Sequence, residues 1–142
     1  ILVPTDFSKE SDMALATAVD LAEKYKAKVE VLHVLDEIEG CVADYCIPEN
    51  ERDSLRKRMM EAAKKKLDEQ VSRISTKKGI SIDEKVRVGN HVDEIVHEVD
   101  ERKIDLLVTA PHEHHKPWHL FFSHLTDELA KKSKCETLLL KH

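Results

Sequence analysis

The amino-acid sequence predicts an α/β fold in which a parallel β-sheet carries helices on both faces. Short apolar runs, rich in β-branched residues, alternate with longer segments whose apolar residues recur at helical spacing. The resulting order, β-α-β-α-β-α-β-α-β, is typical of right-handed crossover units joined into one parallel sheet. The chain has 142 residues, and this length matches one domain, so we assign residues 1–142 to a single domain.

The apolar runs predict five strands, and helical periodicity predicts four helices between them. The predicted strands cover residues 1–3, 29–34, 82–88, 104–110 and 137–140. The first helix follows Ser8, whose hydroxyl suits a helix N-cap. The other helices are predicted at 52–75, before a Lys-Lys-Gly stop, at 92–99 and at 122–129. Residues 36–50 show no period and contain a glycine and a proline, so we predict a loop there.

The composition excludes several classes of protein. An apolar content of 41% and a charged content of 36% indicate a folded domain, and a net charge of −5 gives no basis for nucleic acid or an anionic membrane as partner. No apolar run approaches the roughly 20 residues of a spanning helix, and the opening residues do not resemble a signal peptide. Three cysteines, Cys41, Cys46 and Cys135, fit reduced thiols. We therefore expect a cytoplasmic protein.

Asp6 is a candidate ligand-binding residue because of its place in the predicted fold. It follows the first strand, and ligands of open α/β sheets bind beyond the carboxyl ends of the strands. A carboxylate there can accept hydrogen bonds from a ribose hydroxyl or an adenine amine. It can equally tie the turn and cap the following helix, and both interpretations remain open.

Five segments in the correct order resemble the universal stress protein family. They are residues 1–8 (ILVPTDFS), 32–34 (LHV), 89–95, 105–108 (DLLV) and 135–141. In the third, a proline common in the family is replaced. The resemblance implies an adenine nucleotide alpha hydrolase-like, Rossmann-like fold with strand order 3-2-1-4-5. It also implies a stress-response function and a homodimer that pairs its last strand, whose residues here are Thr137, Leu138, Leu139 and Leu140.

The resemblance also places a nucleotide pocket, with one departure. It implies that a base and ribose pocket is lined by Pro4, Thr5, Asp6 and Val34. ATP-binding members carry a loop G-x-x-G-x9-G-[S/T] after the fourth strand, whose glycines let backbone amides approach the phosphates. Counted onto this chain, its positions fall at Ala110, Glu113, Ser123 and His124. Every glycine is replaced, and Glu113 adds a charge that repels phosphate. We therefore expect no normal ATP binding and no resident cofactor.

The segment that replaces this loop is rich in histidine and aromatic residues. Residues 111–122 hold four of the nine histidines together with Trp118, Phe121 and Phe122. In one interpretation the rings fill the vacated phosphate space, with Trp118 buried against a phenylalanine. In a second, a divalent metal is bound by His112, His114, His119 and His124. A third is pH sensing by the histidines.

These features favour a protein that acts by binding or assembly in the stress response. The sequence shows no Ser-His-Asp order with a nucleophile elbow, no paired acids at a strand end and no Cys-His motif. We therefore expect that the protein is not an enzyme. The alternative function is a nucleotide- or metal-sensing binding protein that uses the pocket at Asp6 and the His-rich loop 112–124.

Overall fold

The first strand of the chain lies at the centre of a five-stranded parallel sheet. The computed structural model describes residues 1–42, 45–75, 79–110 and 119–141. In chain order the elements are β1 (Leu2–Pro4), α1 (Lys9–Tyr25), β2 (Val29–Leu35), β3 (Cys41–Val42), β4 (Tyr45–Cys46), α2 (Glu49–Ile74), β5 (Ile82–Val88), α3 (His91–Arg102), β6 (Leu106–Thr109), α4 (His119–Lys132) and β7 (Glu136–Leu139). The main sheet has the order β5-β2-β1-β6-β7, and all four pairings are parallel. Counted along the chain, these five strands stand in the order 3-2-1-4-5, as predicted.

Helices cover both faces of this sheet. Successive strand side chains point to opposite faces, so Val3 packs with α1 and α2, whereas Leu2 packs with α3 and α4. Both side chains are fully buried. In the part of the chain that the structure describes, no helix is long and apolar enough to cross a membrane.

The strand order reverses beside β1, and this reversal creates a crevice. From β1 the chain proceeds outward through β2 to β5, then crosses back to β6 on the other side of β1 and ends at β7. The helices that follow β1 and β6 therefore lie on opposite faces of the sheet, and the carboxyl ends of these two strands are left accessible between them. This is the position at which a ligand site is expected.

Side-chain caps fix the start of two helices near the crevice. The Ser8 hydroxyl accepts a hydrogen bond from the Ser11 amide at 3.1 Å, which confirms the predicted cap of α1. The Asn90 side chain accepts one from the Asp93 amide at 3.2 Å at the start of α3. Each cap satisfies an amide that the first turn of a helix leaves without an internal partner.

The prediction of a plain loop over residues 36–50 is wrong. Cys41–Val42 and Tyr45–Cys46 form an antiparallel ladder in a separate two-stranded sheet, and α2 already begins at Glu49. Strands of two residues are too short to give a periodic signal. The remaining differences are shifts of one to three residues at element ends, which fall where periodic patterns fade.

The prediction of three reduced thiols is also wrong. Cys41 and Cys46 face each other in the ladder register and form a disulfide, whereas Cys135 is free. The physical reason is the antiparallel pairing, which brings the two Cα atoms to 4.0 Å.

A cluster of charged side chains lies between the sheet and α3. Glu98 is fully buried and accepts hydrogen bonds from Lys85 and Arg87 of β5. Glu30 of β2, 5% exposed, accepts one from Arg102 Nε at 3.1 Å through its Oε2 atom. Its other oxygen, Oε1, is buried and receives no hydrogen bond from any residue that the structure describes.

Candidate functional site

A cavity opens at the carboxyl ends of β1, β2 and β6, beside the first turns of α1 and α3. Its wall combines apolar side chains with hydrogen-bonding groups. The apolar lining is Pro4, Leu32, Val34, Ile95, Ala110 and Leu125, and the polar lining is Thr5, Asp6, Ser8, Ser11, His91, Thr109 and Thr126. Such a mixed wall suits a small molecule with a flat apolar face and a polar edge.

Asp6 reaches the cavity from the turn between β1 and α1. One of its carboxylate oxygens, Oδ1, accepts the Ser8 amide at 3.1 Å. The next residue, Phe7, has a φ of 66°, a left-handed conformation that costs a residue with a side chain on the order of 1 kcal/mol. Asp6 therefore does tie the turn, as one of the two interpretations held, but the helix cap is Ser8. Its place in the cavity wall leaves the ligand-binding interpretation open as well.

A chain of hydrogen bonds connects the cavity wall to the surface where Asp12 of α1 meets Arg73 of α2. The Thr5 hydroxyl lies 2.8 Å from Gln70 Oε1, to which it donates, and it accepts the Phe7 amide at 3.0 Å. Gln70, only 1% exposed, donates from Nε2 to Asp12 Oδ1 at 2.6 Å. Arg73 then donates to both oxygens of Asp12. The position of Thr5 is thus fixed by a residue 65 positions away in the sequence.

His33 supports the same turn from β2. Its Nδ1 atom lies 2.7 Å from the Thr5 carbonyl oxygen, so this nitrogen carries the ring proton and donates a hydrogen bond to that oxygen. Its ring packs on Phe7 with a centroid distance of 4.4 Å. Burial lowers the pKa of His33, although the hydrogen bond to Thr5 acts in the opposite direction. His33 therefore stays neutral at physiological pH and acts as a positional support for the turn.

His91 connects the cavity to the segment that follows β2. It is the first residue of α3 and lines the cavity, and its Nε2 atom lies 3.0 Å from Asp36 Oδ1. Asp36 directly follows β2 and is 86% exposed at its side chain. The contact joins the start of α3 to the first residue of the β2–α2 connection.

The sequence profile of the universal stress protein family matches residues 1–141. The chain belongs to the universal stress protein family. A curated relative, a universal stress protein of Methanocaldococcus jannaschii, is 25% identical over 152 residues, covering 99% of this chain and 93% of the relative.

Solved structures of other family members share the fold. UspA from Lactobacillus plantarum superposes with a TM-score of 0.79 at 20% identity, covering 99% of this universal stress protein and 95% of UspA. A universal stress protein in complex with cAMP gives 0.73 at 24% identity, covering 99% and 94%. One from Archaeoglobus fulgidus in complex with dAMP gives 0.68 at 22% identity, covering 99% and 95%. Likeness at these identities shows the fold.

The structure of this universal stress protein brings five of the predicted pocket residues together. Pro4, Thr5, Asp6, Val34 and Ala110 all line the cavity. Of the other predicted positions, Glu113 lies outside the described residues. Ser123 and His124 belong to α4, but their side chains are outside the described part. Binding of a ligand by any of these residues stays a prediction.

The histidine-rich segment of this family member falls largely outside the described residues. His112, His114 and Trp118 are not among them, and His119 and His124 are placed only as backbone in α4. Where residues are described, no group of three or more His, Cys, Asp or Glu side chains could hold a metal ion. The predicted metal site therefore remains a prediction, as do the aromatic plug and pH sensing.

Sequence reasoning missed Gln70, Ser11 and His91. Gln70 continues the helical spacing of Ala63 and Leu67, all three of which are buried. A glutamine on an otherwise apolar stripe indicates a polar partner in the core, and this signal was available. For His91 the available signal was its position directly after the Gly-Asn turn, next to a strand end.

Proposed function

We propose that this universal stress protein acts by binding or assembly and not by catalysis. Its cavity takes the base and ribose of an adenine nucleotide but does not hold a triphosphate in the manner of ATP-binding members. The observation that carries this proposal is the lack of any glycine in the sequence after Gly89, although the cavity opens at Ala110.

The shape and chemistry of the cavity support the first half of the proposal. Val34 and Ile95 supply apolar surface for a flat ring, and Asp6 supplies a carboxylate that can accept bonds from ribose hydroxyls. The family members solved with cAMP and with dAMP hold nucleotides with a single phosphate. A ligand with few phosphates needs the fewest phosphate contacts from the segment that follows β6.

The replaced glycines support the second half. A glycine allows backbone amides to approach a phosphate closely, because it has no Cβ atom and adopts positive φ readily. The chain has three glycines, Gly40, Gly79 and Gly89, and none lies after β6. At the second glycine position, Glu113 brings a negative charge, and like charges a few ångströms apart in a partly dry site repel by several kcal/mol.

Calorimetric titration tests the proposal with two ligands. We expect AMP to bind measurably and ATP to bind no tighter than about millimolar. The variant with Ala110→Gly, Glu113→Gly, Ser123→Gly and His124→Ser restores the loop pattern and should gain ATP affinity. Glu113→Gln alone is the matched control, because it removes the charge without providing a glycine. Micromolar ATP affinity of the unaltered protein would overturn the proposal, and a titration with zinc tests the metal alternative.

We further propose that β7 pairs with its copy in a second chain. β7 is the outer strand of the sheet, and Leu139 is 40% exposed. The Glu136 and Leu140 amides point toward β6 and donate to the carbonyl oxygens of Asp105 and Thr109. Because amides alternate along a strand, those of Thr137 and Leu139 face the open edge. An apolar edge with outward amides favours pairing with a second strand.

A further inference from the structure

The β2–α2 connection carries a small covalently closed ladder. β3 and β4 pair Cys41 with Cys46 and Val42 with Tyr45, and the two cysteines form a disulfide. The Ile47 amide donates to the Gly40 carbonyl at 2.8 Å, which closes the base of the ladder. Cys41 and Cys46 are both exposed, so a thiol in solution can reach the bond.

We expect the ladder to need the Cys41–Cys46 disulfide to stay folded. Two strands of two residues form a sheet separate from the main one. An isolated two-stranded ladder is at best marginally stable in water even when it is longer, because few backbone bonds offset the loss of chain entropy. A disulfide reduces that entropy loss by restricting the unfolded connection. Reduction is therefore expected to release the ladder.

The same connection begins at the wall of the cavity. Val34 of β2 lines the cavity, and Asp36, two residues later, contacts the cavity residue His91. At the other end, Arg52 of α2 lies against Gly40, where an added Cβ atom would meet Arg52 Nη1 at 2.8 Å. The segment that contains the ladder therefore contacts the cavity residue His91 through Asp36 and contacts α2 through Gly40.

From these contacts we propose that Cys41 and Cys46 form a reversible redox pair that regulates the cavity. In the disulfide form the ladder restricts residues 36–42 and 45–47 and holds Asp36 against His91, so the cavity wall is preorganised for its ligand. In the dithiol form the connection is released, the Asp36–His91 contact is lost more often, and ligand affinity falls. The inference rests on the proposed function for the identity of the ligand.

The chemistry of the switch is thiol–disulfide exchange with a dithiol reductant. A thiolate of the reductant attacks one sulfur of the Cys41–Cys46 bond and forms a mixed disulfide, releasing the other sulfur as a thiolate that takes up a proton. The second thiol of the reductant, as a thiolate, then displaces the remaining cysteine. The protein gains two electrons and two protons, and the reductant is oxidised to its own disulfide.

The test compares AMP affinity in the two redox states, with intact mass to establish the state of the cysteines. We expect the dithiol form to bind AMP at least about fivefold more weakly than the disulfide form. The Cys41→Ser/Cys46→Ser variant should bind like the dithiol form and should not respond to reductant. Cys135→Ser, the matched control, should retain the full response because Cys135 is outside the ladder. Equal AMP affinity in both states would overturn the proposal.

A second measurement separates this inference from the proposed function. If AMP binds in neither state, the proposed function fails, and hydrogen exchange of residues 36–47 and of the His91 region then decides the inference. Faster exchange in both segments on reduction supports the switch. Unchanged exchange on reduction overturns it, because the ladder would then persist without its disulfide.

Discussion

Glu30 should make the stability of the protein fall as the pH rises from about 4.5 to about 7. Burial, followed by the hydrogen bond to the Glu98 carboxyl group and the charge of that group, raises the pKa of Glu30 to about 7, although the charges of Arg102 and Lys85 act in the opposite direction. Burial also tends to raise the pKa of Glu98, but hydrogen bonds from Lys85, Glu30 and Arg87 lower it. The proton on the pair therefore belongs on Glu30. It provides the hydrogen bond that the buried Oε1 atom otherwise lacks.

The direction and size of the effect follow from proton linkage. Below about pH 4.5 Glu30 holds its proton in both the folded and the unfolded chain. As the pH rises toward about 7, the unfolded chain releases this proton while the folded protein retains it, so the free energy of unfolding decreases. A shift from 4.5 to about 7 corresponds to about 3 kcal/mol at 1.36 kcal/mol per pKa unit. This stabilisation is fully lost above neutrality.

The substitution Glu30→Gln isolates this contribution. A glutamine amide can donate to Glu98 and accept from Arg102, so it reproduces the protonated form at every pH. The free energy of unfolding of the variant is compared with that of the unaltered protein at each pH. The difference, variant minus unaltered protein, should be about 2–3 kcal/mol larger near pH 8.5 than near pH 5.

Urea unfolding across this pH range measures the effect. Glu69→Gln, on the exposed surface of α2, changes the net charge equally and should leave the pH dependence unchanged. Parallel curves for the unaltered protein and Glu30→Gln would refute the reasoning.

Two further predictions concern the core and the sheet edge. Gln70→Leu should destabilise the fold by about 2 kcal/mol, because Thr5 and Asp12 lose a buried hydrogen-bond partner. The neighbouring substitution Glu69→Leu should change the stability little. Thermal unfolding measures both variants. A negligible cost for Gln70→Leu would contradict the role of this hydrogen-bond chain. Leu139→Pro should weaken a dimer by about tenfold or more, because two symmetry-related edge hydrogen bonds of about 1 kcal/mol each are lost. Leu139→Ala is the control, because it keeps the backbone amide. Sedimentation that finds only single chains of the unaltered protein would end the dimer proposal.

The main sheet could be predicted because its signal is local. β2 and β6 are continuous or alternating apolar runs, and the stripe of α1 repeats at helical spacing, so each element is evident from its own residues. The order of the strands came from the family resemblance and could not have come from periodicity. The position of Asp6 at a strand end followed from the apolar run that precedes it and did not require the strand order.

The features that escaped prediction depend on partners distant in sequence or on very short elements. The apolar stripe around Gln70 indicates a buried polar partner but does not identify Thr5 as that partner. For Glu30, no nearby residue in the sequence points to its pairing with Glu98. The β3–β4 ladder is too short for a periodic signal. Its disulfide was missed because the odd count of cysteines suggested free thiols, and only the register shows that Cys41 and Cys46 face each other.

The two outer strands of the sheet have opposite characters. β5 carries the charged residues Asp83, Glu84, Lys85 and Arg87, whereas β7 ends in Thr137-Leu138-Leu139. Charged side chains discourage a further strand from adding to an edge. If two chains join through β7, both ends of the enlarged sheet are then β5 strands. In that case growth would stop at two chains, and the charged outer strands would protect the dimer against fibre formation.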